Sequence, residues 1–444
     1  MTALEILTVT LMFVGSFFVW KCRPLTAVCL YLGVVLLYPQ GWSIKFGGMP
    51  TLFVGKVLII PLMLNLIFKA KRLSGFRLNI LDVAMVLLFL GQLTAGLIQR
   101  EDLWQVIADQ SHYMATETLN YFAFRLCIRS RKELHCLVKV LALIAIPLAC
   151  IAIYESLTGD FVYAKLGYLL SGRKDAISAL GIIRSPTLRA GFYRSAASFG
   201  IPIALGLFFA ACVPLVLCLR NDPSWKWWQM TTVIILMVVG LLSTVSSGPL
   251  FSFVVSLIVL AHYPLRRPFT IAIPSVLTML VFWQVSAPLF GVGSPTDYLR
   301  RLAFSPKNAE YRLGLIEEAF TGGMEDHWYF GYGTWGFGEK KPNPEFNWKH
   351  KDVVNIHVAQ LVRFGLFGLV PYLAVSLLSF LKLGQAVHVK RYSSDAWLIW
   401  CVFAFFTGWQ VAFFTVSSIQ QIRCLLFMFI GLMSNLPDIV RQKM

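Results

Sequence analysis

The chain has 444 residues, 57% of them hydrophobic and only 14% charged, with a mean hydropathy of +0.69. Soluble domains carry about 25% charged residues, so this composition excludes that class and indicates a polytopic membrane protein. The formal net charge of +17 does not indicate nucleic acid, because Lys and Arg at cytoplasmic helix ends supply much of it.

A spanning helix needs about 20 mostly apolar residues. The candidates are 4–20, 25–41, 50–68, 80–98, 104–127, 135–156, 195–219, 228–245, 248–263, 269–289, 354–381, 395–415 and 420–437. The fold expected is an all-α polytopic membrane protein of about 12–14 transmembrane helices with two long extracytoplasmic loops, the second containing short helices. Residues 1–157 form the N-terminal helices, 158–194 a first basic loop and 195–289 the central helices; 290–353 form a large second loop and 354–444 the C-terminal helices. The first stretch lacks a preceding basic region and reads as a retained helix, not a signal peptide. The least apolar candidate, 104–127, holds Asp109, Gln110, His112 and Glu117. It suits either a helix lining the bundle or an amphipathic helix lying on the surface.

Seven basic clusters fall on one side of this map, which is therefore assigned to the cytoplasm. The C-terminus is then inside, the short N-terminus outside, and both long loops face outward. The nine cysteines all lie in or beside apolar runs and no CxxC occurs. Neither an external disulfide nor a zinc site is expected.

The loop 158–194 runs against the charge rule, with Lys165, Arg173, Lys174, Arg184, Arg189 and Arg194 against Asp160 and Asp175. Excess positive charge on the translocated side suits an anionic ligand, and the planar fork of Arg matches phosphate. A solvated basic loop touching anionic lipid headgroups explains the charge as well. The chain is organised around the longest polar stretch, from about Gly291 to Gly368. It runs through Tyr311-Arg312 and the segment from His327 to Gly338, which is rich in Gly and aromatic residues. It closes on Asn355-Ile356-His357 ahead of an apolar run. Loops of this size carry function or are disordered, and this one reads as catalytic. Trp328, Tyr332, Trp335, Phe337 and Trp348 suit stacking on sugar rings, and equally an interfacial aromatic belt. Arg312 could meet a ligand or pair with Glu310 or Glu317. Glu317 and Glu318 are adjacent, so their side chains diverge on a helix and form no glycosidase pair. The spacing of Asp297, Glu325, Asp326 and Asp352 supports no metal site.

The order of these elements resembles the O-antigen ligase and O-antigen polymerase superfamily of bacterial envelope polysaccharide enzymes, over about residues 180–380. Arg189-Ala190-Gly191-Phe192 looks like the family's Arg-x-Gly-aromatic element opening a helix. Arg184 and Gly200 match an Arg-to-Gly spacing of the polymerases. Arg312, with Ile316 and Ala319, resembles the Arg that opens a short loop helix. Gly331-Tyr332-Gly333 and Phe337-Gly338 look like the turn that follows. Gly365-Leu366-Phe367-Gly368 resembles the Gly-x-x-Gly after the catalytic His. Two positions depart from the pattern. Val354 stands where ligases carry the His of a His-Asn pair, followed by a matching Asn355, and His357 comes three residues later. Ser247 stands where many members carry Arg. Residues i and i+3 share a helix face, so His357 could reach the same pocket one turn deeper. The base could equally be His350 or an acidic side chain.

The resemblance implies a donor glycan on undecaprenyl diphosphate, transferred to an acceptor hydroxyl at the outer face of the bacterial cytoplasmic (inner) membrane. It implies substrate contacts from Arg184, Arg189, Arg194, Arg312, Trp335 and Asn355, with Arg groups neutralising the leaving diphosphate. His357 is the candidate catalytic base. No metal and no cofactor are expected. Partners would be the lipid-linked donor, the glycan acceptor, membrane lipid and other polysaccharide assembly and export proteins, with no nucleic acid. Polymerisation of repeat units is the leading expectation, ligation to lipid A core or another acceptor the near alternative. A transporter or flippase is the alternative from another class.

Overall fold

A computed structural model describes residues 2–39, 41–44, 51–69, 72–74, 76–99, 103–172, 188–286, 324, 327–333, 355–389, 394–416 and 420–441. Over these residues the chain is an all-α polytopic membrane protein with one small hairpin. The helices are α1 (Ala3–Lys21), α2 (Pro24–Leu37), α3 (Val54–Leu64), α4 (Ile80–Gln99), α5 (Leu103–Tyr113), α6 (Leu119–Cys127), α7 (Arg131–Thr158) and α8 (Val162–Ser171). After the hairpin of β1 (Leu188–Arg189) and β2 (Phe192–Tyr193) come α9 (Pro202–Leu217), α10 (Trp227–Ser243), α11 (Ser247–Ala261) and α12 (Arg266–Ser286). The last three are α13 (Ile356–Val389), α14 (Ser394–Ala412) and α15 (Gln420–Arg441). Seven described helices are long and apolar enough to cross a membrane, and four shorter apolar ones accompany them.

The stretch 104–127 is one continuous helix, α5 and α6 joined by a π-helical turn at Met114–Thr118. Ala115, Glu117, Asn120, Tyr121 and Arg125 are buried, so this stretch lines the bundle over its second half. The expected helix from 195 begins only at Pro202. The N–H groups of Ala196 and Ala197 donate to the Glu155 carboxylate at 3.0 and 2.9 Å instead of opening a helix. Ala197 and Gly200 have positive φ, which a continuing right-handed helix forbids.

Burial sorts the helices into layers. About nine-tenths of the apolar window of α9 and of α15 is buried (89% each), against 22% for α1 and α12, whose Phe13, Phe17, Met279 and Phe282 face outward. In the core, three tryptophans of α14 pin its neighbours. Trp397 and Trp409 donate to Leu217 O and Leu207 O of α9, and Trp400 to Val259 O of α11, each at 2.9 Å. Helix association in lipid lacks a hydrophobic drive, so such directional bonds and close packing carry it.

One end of the bundle is locked by a saturated polar cluster. Asn79 caps α4, its Oδ1 accepting from Leu81 N and Asp82 N while its own N–H donates to Asp82 Oδ2. Asp82 Oδ1 accepts from Tyr121 Oη at 2.6 Å and from Arg125 Nε at 3.2 Å. Arg125 also donates to Asn435 Oδ1, and Asn435 Nδ2 donates to Arg125 O and Ile128 O at 2.7 Å each. This ties α4, α6 and α15 together.

The opposite end holds the break that positions the polar loop. Within α13, Gly365 has φ 61° and ψ −156°, far from helical. A break in an apolar bundle strands backbone donors and acceptors, each costing several kcal/mol if left unpaired. Residues 327–333 dock there and pair them. Tyr332 N donates to Val362 O at 2.8 Å and Gly333 N to Arg363 O at 2.9 Å; Leu366 N donates to Trp328 O at 2.8 Å and Phe367 N to Tyr329 O at 3.2 Å. A Cβ on Gly365 would lie 2.2 Å from Tyr329 O, and one on Gly91 of α4 would lie 2.0 Å from Phe367 O. Both closures therefore require glycine.

Gly365→Ala is expected to destabilise the protein by about 2–5 kcal/mol, combining a Gly-only backbone conformation with overpacking. Thermal melts of the detergent-solubilised protein should fall well below wild type, with protease cleavage appearing near 327–333. Gly33→Ala, where nothing lies within 4 Å, should melt as wild type does. Equal melts for the two variants would refute the clasp as a structural element.

Candidate functional site

The first half of α13 carries two of the residues singled out by sequence. Asn355 is 1% exposed and caps the helix: its Oδ1 accepts from His357 N at 2.9 Å and Val358 N at 3.2 Å. Its Nδ2 donates to Phe414 O at 3.0 Å, so both ends of this amide serve the fold. An Asn just before an apolar periodic run is the ordinary signature of such a cap. His357 is 2% exposed, tilted against Phe414 at 5.0 Å and edge-on to Tyr372 at 5.9 Å.

His357 lines a cavity of about 120 Å³ between α12, α13 and α14, with Leu277, Leu373, Phe380, Ser376 and Gln410 among its walls. His357 Nδ1, Ser376 Oγ and Gln410 Nε2 are buried and have no hydrogen-bond partner among the described residues. Buried polar atoms of this kind are nearly always paired, so a cavity with three of them suits water or a polar group of a ligand. Among the described residues no arginine lines this cavity.

Arg189 and Arg194 lie at a different corner. Ala190 and Gly191, both at positive φ, make the two-residue turn of the hairpin, in which Arg189 pairs with Phe192. The Arg-Ala-Gly-Phe element is thus a hairpin turn, separated from α9 by a 3-10 turn at Ala197–Phe199. Arg189 Nη1 donates to Val245 O at 3.3 Å, and Arg194 Nη2 to Ser246 Oγ at 3.0 Å. Both side chains are partly exposed. Among the described residues the three non-glycine positive-φ positions, Ala190, Ala197 and Val245, all fall at this corner. Strain of about 1–3 kcal/mol per residue persists only where surrounding contacts over-determine it. Glu155 supplies part of that support. Its buried carboxylate accepts from Ala196 N, Ala197 N and, at 3.1 Å, Val162 N.

Arg184, Arg312 and Trp335 lie outside the described residues, as do His350, Phe337 and Trp348. Trp328 and Tyr332 pack against the buried face of α13, and Tyr332 stacks on His327 with centroids 4.2 Å apart. Among the described residues of this loop, Tyr329 is an exposed aromatic, at 66%.

The structure adds partners, Gln92 and Arg423, to the polar residues that the sequence singled out in 104–127. Glu117 on the π turn is 2% exposed; Gln92 Nε2 donates to its Oε2 at 3.1 Å, and Arg423 Nε lies 3.7 Å from its Oε1. The Arg423 guanidinium sits over the Tyr113 ring, 5.2 Å from its centroid. The Tyr113 ring in turn meets Phe364 of α13 edge-on, with centroids 5.2 Å apart. Arg423 and Arg363 were hidden inside stretches read as apolar spans, yet ionisable groups in such spans are functional-site candidates by default. A π turn inside a helix is a second such marker.

No protein-family model matches the chain, and no curated protein matches it.

Glu155→Ala would leave three N–H donors, two of them buried, without their acceptor and is expected to cost about 3 kcal/mol. Glu155→Gln keeps one acceptor oxygen and should cost about half as much. The check is the thermal midpoint together with trypsin cleavage at Arg189 and Arg194. Unchanged cleavage in Glu155→Ala would remove Glu155 from the support of this corner.

Proposed function

We propose that the chain is a membrane glycosyltransferase that polymerises undecaprenyl-diphosphate-linked oligosaccharide repeat units into O-antigen or exopolysaccharide. One observation carries the reading most. The two glycine elements behind the family resemblance, 331–333 and 365–368, lie in segments, 327–333 and 362–368, that meet across four backbone hydrogen bonds at the end of the half-helix that bears His357. On this reading the bundle has 12–14 spans in the bacterial cytoplasmic membrane, with 158–194 and 290–353 facing the periplasm or exterior.

In the reaction proposed, an acceptor hydroxyl oxygen bonds to the donor's anomeric carbon, and the bond from that carbon to the diphosphate oxygen breaks. Fixed guanidinium groups stabilise the charge that develops on the leaving diphosphate. Arg189 and Arg194, partly exposed beside a rigid corner, and Arg184 and Arg312 are assigned that role. His357 is assigned the hydroxyl proton, a contribution of about a hundred- to ten-thousand-fold where base and hydroxyl meet; its cavity is separate from the Arg189 and Arg194 corner, so this role requires the two to close together around the substrates. Ligation of a finished glycan to lipid A core or another acceptor uses the same chemistry. A second reading, transport of a lipid-linked or polysaccharide substrate, is favoured by the broken α13 and by the ionisable residues within spans, both of which occur at transporter sites.

Proteoliposomes supplied with lipid-linked repeat units separate these readings. Wild type should build long lipid-linked chains, while Arg189→Ala, Arg312→Ala and His357→Ala at matched expression should lose at least about a hundredfold in chain growth. Normal chain length with loss of transfer to a final acceptor identifies a ligase. Variants that all act as wild type, with the repeat unit merely crossing the bilayer, would sink the transferase reading and favour transport.

A further inference from the structure

α13 folds back on itself. A straight helix would hold residues 357 and 372 about 22 Å apart, at 1.5 Å per residue. The rings of His357 and Tyr372 are 5.9 Å apart, and His357 also meets Phe414, beyond the end of α14, at 5.0 Å. The break at Gly365 therefore lays the half-helix that bears His357 back along the start of the second half. The cavity of about 120 Å³ lies beside this fold, with α12 as its outer wall.

The lining of the cavity divides by chemistry. Leu277 and Thr278 face it from α12, and Leu373, Ser376, Leu377 and Phe380 from α13, at the spacing of one helix face. No charged side chain lines it among the described residues. A charge in such walls is costly, so a neutral occupant fits. His357, Ser376 and Gln410 are buried, and their Nδ1, Oγ and Nε2 have no hydrogen-bond partner among the described residues. The amide nitrogen only donates, the hydroxyl does both, and the nitrogen of a neutral imidazole donates or accepts. An occupant that pairs all three both accepts and donates, as a hydroxyl does. One water would also pair them, but the volume is that of about four waters, and the apolar walls offer the others no partner. A molecule with a hydroxyl head and an apolar body matches both parts of the lining.

The opening shows where such a molecule comes from. Thr278 is exposed and Leu377 is 39% exposed, although both line the cavity. The cavity thus reaches the outer surface between α12 and α13, where Met279 and Phe282 also face outward. On an apolar, peripheral helix such as α12 that surface meets lipid, not water.

We infer that this cavity binds the head of a single-chain lipid alcohol. Its hydroxyl lies among His357, Ser376 and Gln410, its first carbons against Leu277, Leu373 and Phe380, and its tail leaves past Thr278 and Leu377 into the bilayer. The inference stands on the cavity and does not rest on the transferase reading.

The probe is a hexadecanol that carries a diazirine a few carbons from its hydroxyl. The full chain in phosphatidylcholine nanodiscs is irradiated with it, and labelled peptides are identified by mass spectrometry. Label should gather on α12 and α13 around Thr278 and Leu377. Unlabelled hexadecanol should displace it and hexadecane should not. Gln410→Leu should weaken labelling about fivefold, the loss of one neutral hydrogen bond. Thr278→Trp puts a large ring at the opening from an exposed position, and it should abolish labelling without lowering the thermal midpoint. Val276→Trp, exposed on the same helix but off the lining, should change nothing. Displacement by hexadecane as readily as by hexadecanol, label spread evenly over the lipid-facing helices, or full labelling of Thr278→Trp overturns the inference. Should Gln410→Leu fail to fold, Thr278→Trp decides. The assay involves no glycan donor and no turnover, so its failure is distinct from a failure of the transferase reading.

Discussion

The need to pair every backbone polar group inside an apolar bundle governs the architecture of this protein. α13 cannot be both broken at Gly365 and buried unless something supplies partners for Val362 O, Arg363 O, Leu366 N and Phe367 N. Residues 327–333 supply all four. The rest of the clasp end follows from that repair. α4 must approach the break closely, which places Gly91 against Phe367. The half-helix from Ile356 to Phe364 is held at a fixed angle, with Asn355 closing its start and Arg363 at its last turn.

The two ends handle buried charge in opposite ways. At the far end Asp82 and Arg125 are saturated by Tyr121, Asn435 and backbone groups, so the pair acts as a staple with nothing left to offer. At the clasp end Glu117 and Arg423 stand 3.7 Å apart, with the guanidinium over the Tyr113 ring. A buried pair removed from water needs extra hydrogen bonds to offset desolvation. The first arrangement draws them from Tyr121, Asn435 and the backbone, and the second draws one from Gln92 to Glu117.

Composition alone announced the membrane class, and the apolar runs located most helices, because both depend on averages over many residues. The averages also concealed what matters locally. Arg363 and Arg423 each sit within a window apolar enough to outweigh one charge. The late start of α9 came from a carboxylate on α7, a partner distant in sequence. Asn355 was visible beside His357, but its role as a cap needed the helix boundary. The glycine elements were legible one at a time. Their union was not, since residues 331–333 and 362–367 join through backbone atoms that carry no side-chain pattern. The separation of Arg189 from the His357 cavity likewise belongs to tertiary packing, not to spacing.

The clasp also bears on the order in which the chain is built. Residues 327–333 precede α13, and α4 precedes both. The groups that complete the broken helix, and the surface that receives its kink, are therefore synthesised before Gly365 emerges. A helix with a bare break is costly to leave in hydrocarbon, but here its two halves meet a waiting template. Moving 327–333 to a position after α13, as a circular permutation would, keeps every contact of the folded state yet removes that head start. Insertion of α13 is thus a step that depends on the history of the chain as well as on its final structure.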